Sequence, residues 1–174
     1  MLESKDYAKL FKEKITPLIE KKREADLHQG IVIEAYKKLN HIISSTIENE
    51  SLSIYLNIDN EKNDIHLKTG SKIAVDTIRI NFKNMTLNFF ESRMGYNETN
   101  LIIHLLPKEE KISERFTGGH INEKKVFSEM YILEYVSETK EWNLCITDSK
   151  GSSLCEELFT EEGFMRILYH TFPD

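Results

Sequence analysis

Two tripeptides place a titratable group in matching frames, Ile65-His66-Leu67 and Ile103-His104-Leu105. An imidazole changes charge near neutrality, so two histidines facing one another across a sheet could serve as base and acid on a phosphoryl group. Histidine alternating with aliphatic residues is also the pattern of a half-buried strand with one wet face, which needs no bound ligand. His120 follows Gly118 and Gly119, with Arg115 and Glu123 nearby in sequence. Loops carry binding groups disproportionately, so Arg115 and His120 are the candidate binding residues. The same glycine pair suits the end of a short helix.

The paired histidines resemble the motifs of the two-histidine phosphoesterases, in which one histidine acts as base and the other as acid. That family also has Ser or Thr two residues after each histidine to hold the phosphate, and Lys68 and Leu106 occupy those places here. Other chemistries leave less. His28 and His41 lie on different predicted helical segments, the cysteines lack a CxxC spacing, and HExxH is absent. Asp59, Glu61 and Asn63 copy the first three side-chain positions of a calcium loop. Asp64 then stands where the glycine belongs and Gly70 where the bidentate Glu belongs, so the stretch is predicted to be a hairpin turn. No GxSxG, GxGxxG or GxxxxGK[ST] occurs. Glu156-Glu157 and Glu161-Glu162 are expected in first turns of helices, where acids favour the positive end of the dipole. Neither a cofactor nor a metal is expected.

The 174 residues carry 23 Lys and Arg against 29 Asp and Glu, a net charge of −6. The long-range field therefore repels phosphate polyanions, and sequence-independent nucleic-acid binding is disfavoured. Lys12, Lys14, Lys21, Lys22 and Arg23 are interleaved with Glu13, Glu20, Glu24 and Asp26, which predicts a solvated helix face. Cys145 and Cys155 are the only cysteines, and their small number predicts reduced thiols in a cytoplasmic protein. The charged start Met1-Leu2-Glu3-Ser4-Lys5-Asp6 is unlike a signal peptide, and no apolar run is long enough for a membrane span. Lysine outnumbers arginine and Ile and Asn are plentiful, a bias of AT-rich coding DNA as in low-GC bacteria and their phages.

These groups need a scaffold, and the hydrophobic periodicity supplies one. Tyr7, Leu10, Phe11 and Ile15 share a helical face after Ser4, Pro17 interrupts it, and Gly30 marks a further break, predicting two N-terminal helical segments. Val32, Ala35, Tyr36, Leu39, Ile42, Ile43, Thr46 and Ile47 form the clearest amphipathic stripe, which must be covered by a sheet or another helix. Past Asn49 the period falls to two. Strands are expected around 52–58, 65–67, 73–82, 85–89 and 101–105, with a bulge near Asp76 to reconcile the opposite parities of Val75 and Ile78. Pro107, Glu109, Glu110 and Gly118 predict a short helix over 107–118. Strands over Val126–Val136 and Trp142–Thr147 follow, then a helix capped by Thr160 and carrying Phe164, Ile167 and Leu168. Tyr131 and Tyr135 share a strand face with Leu133 and are expected in the core.

The expected fold is α+β in one domain, 1–174. It comprises two N-terminal helical segments, an antiparallel, mostly meander sheet of about seven strands with a short inserted helix, and a C-terminal helix packed on one sheet face. The order loosely resembles cone-shaped ligand binders and secretion-chaperone-like proteins. With no local signature of catalysis, the sequence points to a non-enzymatic cytoplasmic module acting through a protein surface, such as an inhibitor, immunity-type or chaperone-like adaptor. Its acidic C-terminal third suits a basic partner. The competing expectation is a small hydrolase of phosphoesters or nucleotides, or a small-ligand binder, with its pocket between sheet and helices. A homo-oligomer through an exposed strand edge is a third expectation.

Overall fold

A computed structural model describes residues 4–67, 70–83, 85–92, 100–105, 109–115, 121–127, 129–148 and 152–172, with the backbone path alone at 4–5, 100, 109–115, 121–127 and 129–130. The chain is α+β, with a long N-terminal helix, antiparallel sheets and a C-terminal helix.

The N-terminal segments are one helix, α1 (Ser4–Asn49), 46 residues long and continuous through Pro17 and Gly30. Pro17 lacks the N–H that would bond the Glu13 carbonyl, but this stretch is exposed and water can take that place. Thr16 Oγ1 donates to Lys12 O at 2.8 Å, a local back-bond of the kind that accompanies a bend in a helix. Gly30 costs helix stability through backbone freedom, not through shape. Punctuation that ends an average helix is tolerated in one whose C-terminal half is fixed by packing.

Sheet A has the order β1 (Asn57–His66), β2 (Lys72–Phe82), β3 (Met85–Asn88). The expected turn at 59–63 lies inside β1, because its polar residues find cross-strand partners. Asn81 Nδ2 donates to Asp59 Oδ2 at 2.7 Å, Asn63 Nδ2 to Thr77 Oγ1 at 2.7 Å, and Arg79 pairs with Glu61 at 2.8 Å. The real turn is further on, where Gly70 takes φ +84° and its N–H bonds Leu67 O. No bulge occurs at Asp76. The register runs unbroken from Asn57↔Asn81 to His66↔Lys72. Ile73, Val75 and Thr77 on one face and Ile78 and Ile80 on the other are all buried, so this central strand is covered on different faces along its length.

Sheet B has the order β4 (Asn100–Leu105), β7 (Glu129–Val136), β8 (Glu141–Asp148), β9 (Ser153–Leu158). The expected short helix at 107–118 is replaced by a ribbon of β5 (Glu109–Arg115) and β6 (Ile121–Phe127). Leu105 faces Tyr131 and Glu109 faces Phe127, so the ribbon is paired in the same register as β4 and β7. Cross-strand pairing thus overrides local helix signals, and a Gly-Gly pair between two runs is as much a hairpin signal as a helix stop. The one meander sheet of about seven strands is instead two separate sheets and this ribbon among the described residues.

The C-terminal half of α1 and α2 (Glu161–Thr171) complete a single core. Val32, Ala35, Tyr36, Leu39 and Ile43 are buried, as their spacing requires. Trp142, fully buried, donates Nε1–H to Ala35 O at 2.8 Å and packs edge-on against Tyr36. The α1 segment around Lys38 also grips the β7–β8 turn. Lys38 Nζ reaches Glu141 at 2.6 Å and donates to Lys140 O at 2.9 Å, and Lys140 Nζ reaches Glu34 at 3.3 Å. Helix α2 touches both sheets. Phe164 meets Phe89, just past β3, and the absent side chain of Gly163 lets the helix approach Leu144 of β8, where a Cβ would sit 3.3 Å from Leu144 Cδ2. Thr160 occupies the N-cap position but makes no side-chain cap bond.

Candidate functional site

The one heptad row at 11, 18, 25, 32, 39 and 46 runs the length of α1. Val32, Leu39 and Thr46 are buried beneath the sheets, whereas Phe11 and Leu18 are each 62% exposed. The rows beside it behave alike. His28 and Ala35 are buried and Tyr7 is exposed, while Tyr36 and Ile43 are buried and Ile15, further up, is half-buried. A straight helix rotates a heptad row by about 20° per repeat, so the face that the body covers continues onto the N-terminal arm as an uncovered apolar stripe turned by roughly 60° at Leu18 relative to Leu39. Leu10 and Ile19 widen it. The predicted solvated charged face is present on the arm, but it shares the helix with this stripe. Reading Pro17 and Gly30 as breaks concealed the collinearity, although the seven-residue spacing was there to be counted.

Where the arm meets the body, a groove of about 590 Å³ is lined by Leu27, Ile31 and Tyr135 and by Asp26, Glu34 and Lys140. Burial, with Glu34 and Glu141 nearby, holds the Tyr135 phenol above its ordinary range. On the other flank a cavity of about 160 Å³ lies between Tyr36, Asn40 and the β2 residues Val75 and Asp76. Asn40 Nδ2 there donates to Asp76 O at 2.7 Å.

The two strand histidines come to either end of the segment Glu91–Ser92. His66 N–H donates to Ser92 O at 2.9 Å, and His104 Nδ1 lies 4.0 Å from Glu91 Oε2. Glu91 N–H donates to Tyr36 Oη at 3.3 Å, and burial pushes that phenol far above its ordinary range. Glu91, which no sequence motif marks, is therefore a carboxylate within ion-pair reach of His104. Both histidines are exposed, and neither lines the cavities beside α1. A half-exposed His–carboxylate pair can move a proton, but it has no wall to exclude water from a reacting group.

Arg115 closes β5 opposite Ile121, at the base of the connection that includes His120. His120 and both glycines lie outside the described residues. The acidic pairs serve separate structural contacts. Glu157 holds Arg166 at 3.0 Å across β9 and α2, and Glu161 accepts from Asn49 Nδ2 at 3.3 Å, tying α2 to the end of α1. Glu156 and Glu157 sit in strand β9, not in a helical first turn, so they point to opposite faces. Cys145 and Cys155 are free thiols. Cys145 faces Glu156 and Cys155 faces Ile146, so the two lie on opposite faces of neighbouring strands and are not poised to bridge.

Among the described residues, no group of three or more His, Cys, Asp or Glu is arranged to hold a metal ion. None of the described helices is long and apolar enough to cross a membrane. No family model, curated protein or solved structure matches the chain.

Proposed function

We propose that this chain is a cytoplasmic, non-enzymatic protein-binding module of the inhibitor, immunity or chaperone-like adaptor kind, and that the exposed stripe of the α1 arm is its working surface. The observation that carries this reading is the stripe Tyr7, Leu10, Phe11 and Leu18, all at least half exposed, with Tyr7, Phe11 and Leu18 in heptad rows that the core buries further along. Fully burying one such side chain is worth about 1.5–3 kcal/mol, so a partner covering these four, 50–62% exposed, recovers roughly 3–7 kcal/mol, which meets the low end of what association costs. Contiguous apolar surface of this kind marks interaction sites, unlike scattered exposed residues. The test is a photo-crosslinking residue placed at Leu18 in the native host. Discrete protein adducts that disappear in the Phe11→Glu variant support the reading. Diffuse labelling indifferent to that change overturns it.

The Glu91–His104 pair favours a second reading, a small phosphoester or nucleotide hydrolase using His104 as the proton carrier. Phosphoester turnover by the purified chain, abolished in both His104→Ala and Glu91→Gln while Leu18→Glu leaves it intact, replaces the first reading with this one.

A further inference from the structure

The arm's stripe has a sign as well as a hydrophobicity. The rows that continue into the core include Lys14 and Lys21, in line with buried His28 and Ala35, and Lys22, in line with buried Tyr36 and Ile43. The row of Asp6, Glu13 and Glu20 continues instead to Glu34, His41 and Glu48, all exposed, so those acids sit away from the stripe. Glu24, in the row of Leu10, and Asp26, in the row of Ile19, stand at the body-proximal end, so the apolar side of the arm is basic over residues 7–22. Two such arms laid stripe to stripe would oppose lysine to lysine, which argues against a helix-to-helix pairing of arms. The surface that fits is apolar and acidic.

The chain itself carries one. Residues 4–30 hold seven Lys and Arg against five Asp and Glu, which leaves sixteen against twenty-four in the remainder. On the outer face of sheet B, away from the core, Ile132, Cys145 and Glu156 stand in one cross-strand row, and Asn143 and Leu158 stand in the next. At the β9 edge Glu156 is exposed, Leu158 is 50% exposed and Leu154 is 58% exposed. Edge strands are commonly covered or charged, and this one presents the exposed Leu154 and Leu158 with a single exposed acid, Glu156, between them.

We infer that the arm of one molecule docks, stripe inward, on the β9 side of sheet B of a second copy, and that the second copy's arm reciprocates. The inference rests on reading the chain as a protein-binding module and names the partner. Charge complementarity favours it, because Lys14, Lys21 and Lys22 meet a face holding Glu156, which like-charged arms do not offer. Area also permits it. An arm of some two dozen residues is roughly 36 Å long and roughly 10 Å wide. β9, six residues long, spans roughly 20 Å, so counting both surfaces and both arms the exchange buries about 800 Å², the size of a weak, concentration-dependent contact. A reciprocal contact also closes, so assembly stops at the dimer.

Sedimentation velocity over a wide micromolar range tests this with the full chain. The expected result is a concentration-dependent dimer. The variants Lys14→Glu/Lys21→Glu/Lys22→Glu and Glu156→Lys/Leu158→Lys, each checked by circular dichroism and urea midpoint to be folded, should each raise the dissociation constant by about tenfold or more. Mixed in equal amounts, they should dimerise again, since each arm then meets a face of opposite sign. A wild-type monomer at every concentration, a dimer indifferent to both reversals, or a mixture that stays monomeric overturns the inference. Cosedimentation with phosphatidylserine-containing vesicles separates its failure from that of the underlying reading. Vesicle binding by a monomer, lost on reversing the three lysines, sinks both. A monomer that ignores vesicles yet still crosslinks a different protein through Leu18 sinks this inference alone.

Discussion

The two halves of α1 are built from the same repeat and have opposite fates. Leu39, at 0% exposure, and Leu18, at 62%, occupy the same heptad row of one helix. What separates them is what lies opposite. Leu39 belongs to the half that packs on β2 and β8 and is pinned by the Trp142–Ala35 bond, whereas Leu18 lies mostly in solvent. Amphipathic periodicity therefore measures a helix's need for cover and does not say whether the same chain supplies it. In the docked half that need stabilises the fold, and in the arm it is left available for association.

The comparison is broken most severely by truncating the matched leucines. Leu39→Ala should cost the folded monomer about 2–5 kcal/mol in urea unfolding, because a buried leucine leaves a cavity. Leu18→Ala should cost within about 0.5 kcal/mol under the same conditions, as surface changes do. Equal losses would mean that the arm is part of the monomer's cooperative unit. Trp142→Phe sharpens the same contrast by removing the indole N–H from Ala35 O. It should lower the urea midpoint of the body by an amount equivalent to about 1–3 kcal/mol, while hydrogen exchange over 6–27 stays as fast as in the wild type.

A titration divides the halves too. Burial of Tyr36 favours its neutral phenol, so its folded pKa stands above the ordinary value of 10.0. A raised folded pKa gives stability that is complete below the unfolded value and is lost as pH rises beyond it. The body should therefore lose stability above about pH 10 in alkaline unfolding, and Tyr36→Phe should flatten that decline; an unchanged slope would remove Tyr36 as its cause. The smallest effect is expected at the junction. A Cβ at Gly30 meets nothing within 4 Å, so Gly30→Ala should stabilise the helix there by about 0.5–1 kcal/mol. Slower exchange of amides near 26–34, with the global midpoint nearly unmoved, is the expected signature, and faster exchange would contradict it.

Much of this was legible in advance wherever one face had to be buried. The stripe from Val32 to Ile47, the alternation in β4, β7 and β8, and Phe164 and Ile167 of α2 lie where their spacing puts them, since a period of 3.6 or 2 decides which side chains share a face. The errors fell where local signals compete. Asp59–Asn63 looks like a turn but is held in a strand by Thr77, Arg79 and Asn81, partners that no local window contains. The stretch 109–115 carries helix-favouring charges but pairs with 121–127. Of the candidate site, the histidine frames were visible, but Glu91 beside His104 was not. It reaches that histidine through the fold and not through spacing.

The sequence by itself determined the α+β class and the faces that seek burial, because each follows from residue type and backbone period alone. Only the tertiary structure decided that α1 runs unbroken through Pro17 and Gly30, that the strands divide into separate sheets, and that half of one stripe is covered while the other half is not. Those outcomes depend on which distant groups come to lie opposite one another, and burial energy is settled between surfaces and not within a segment.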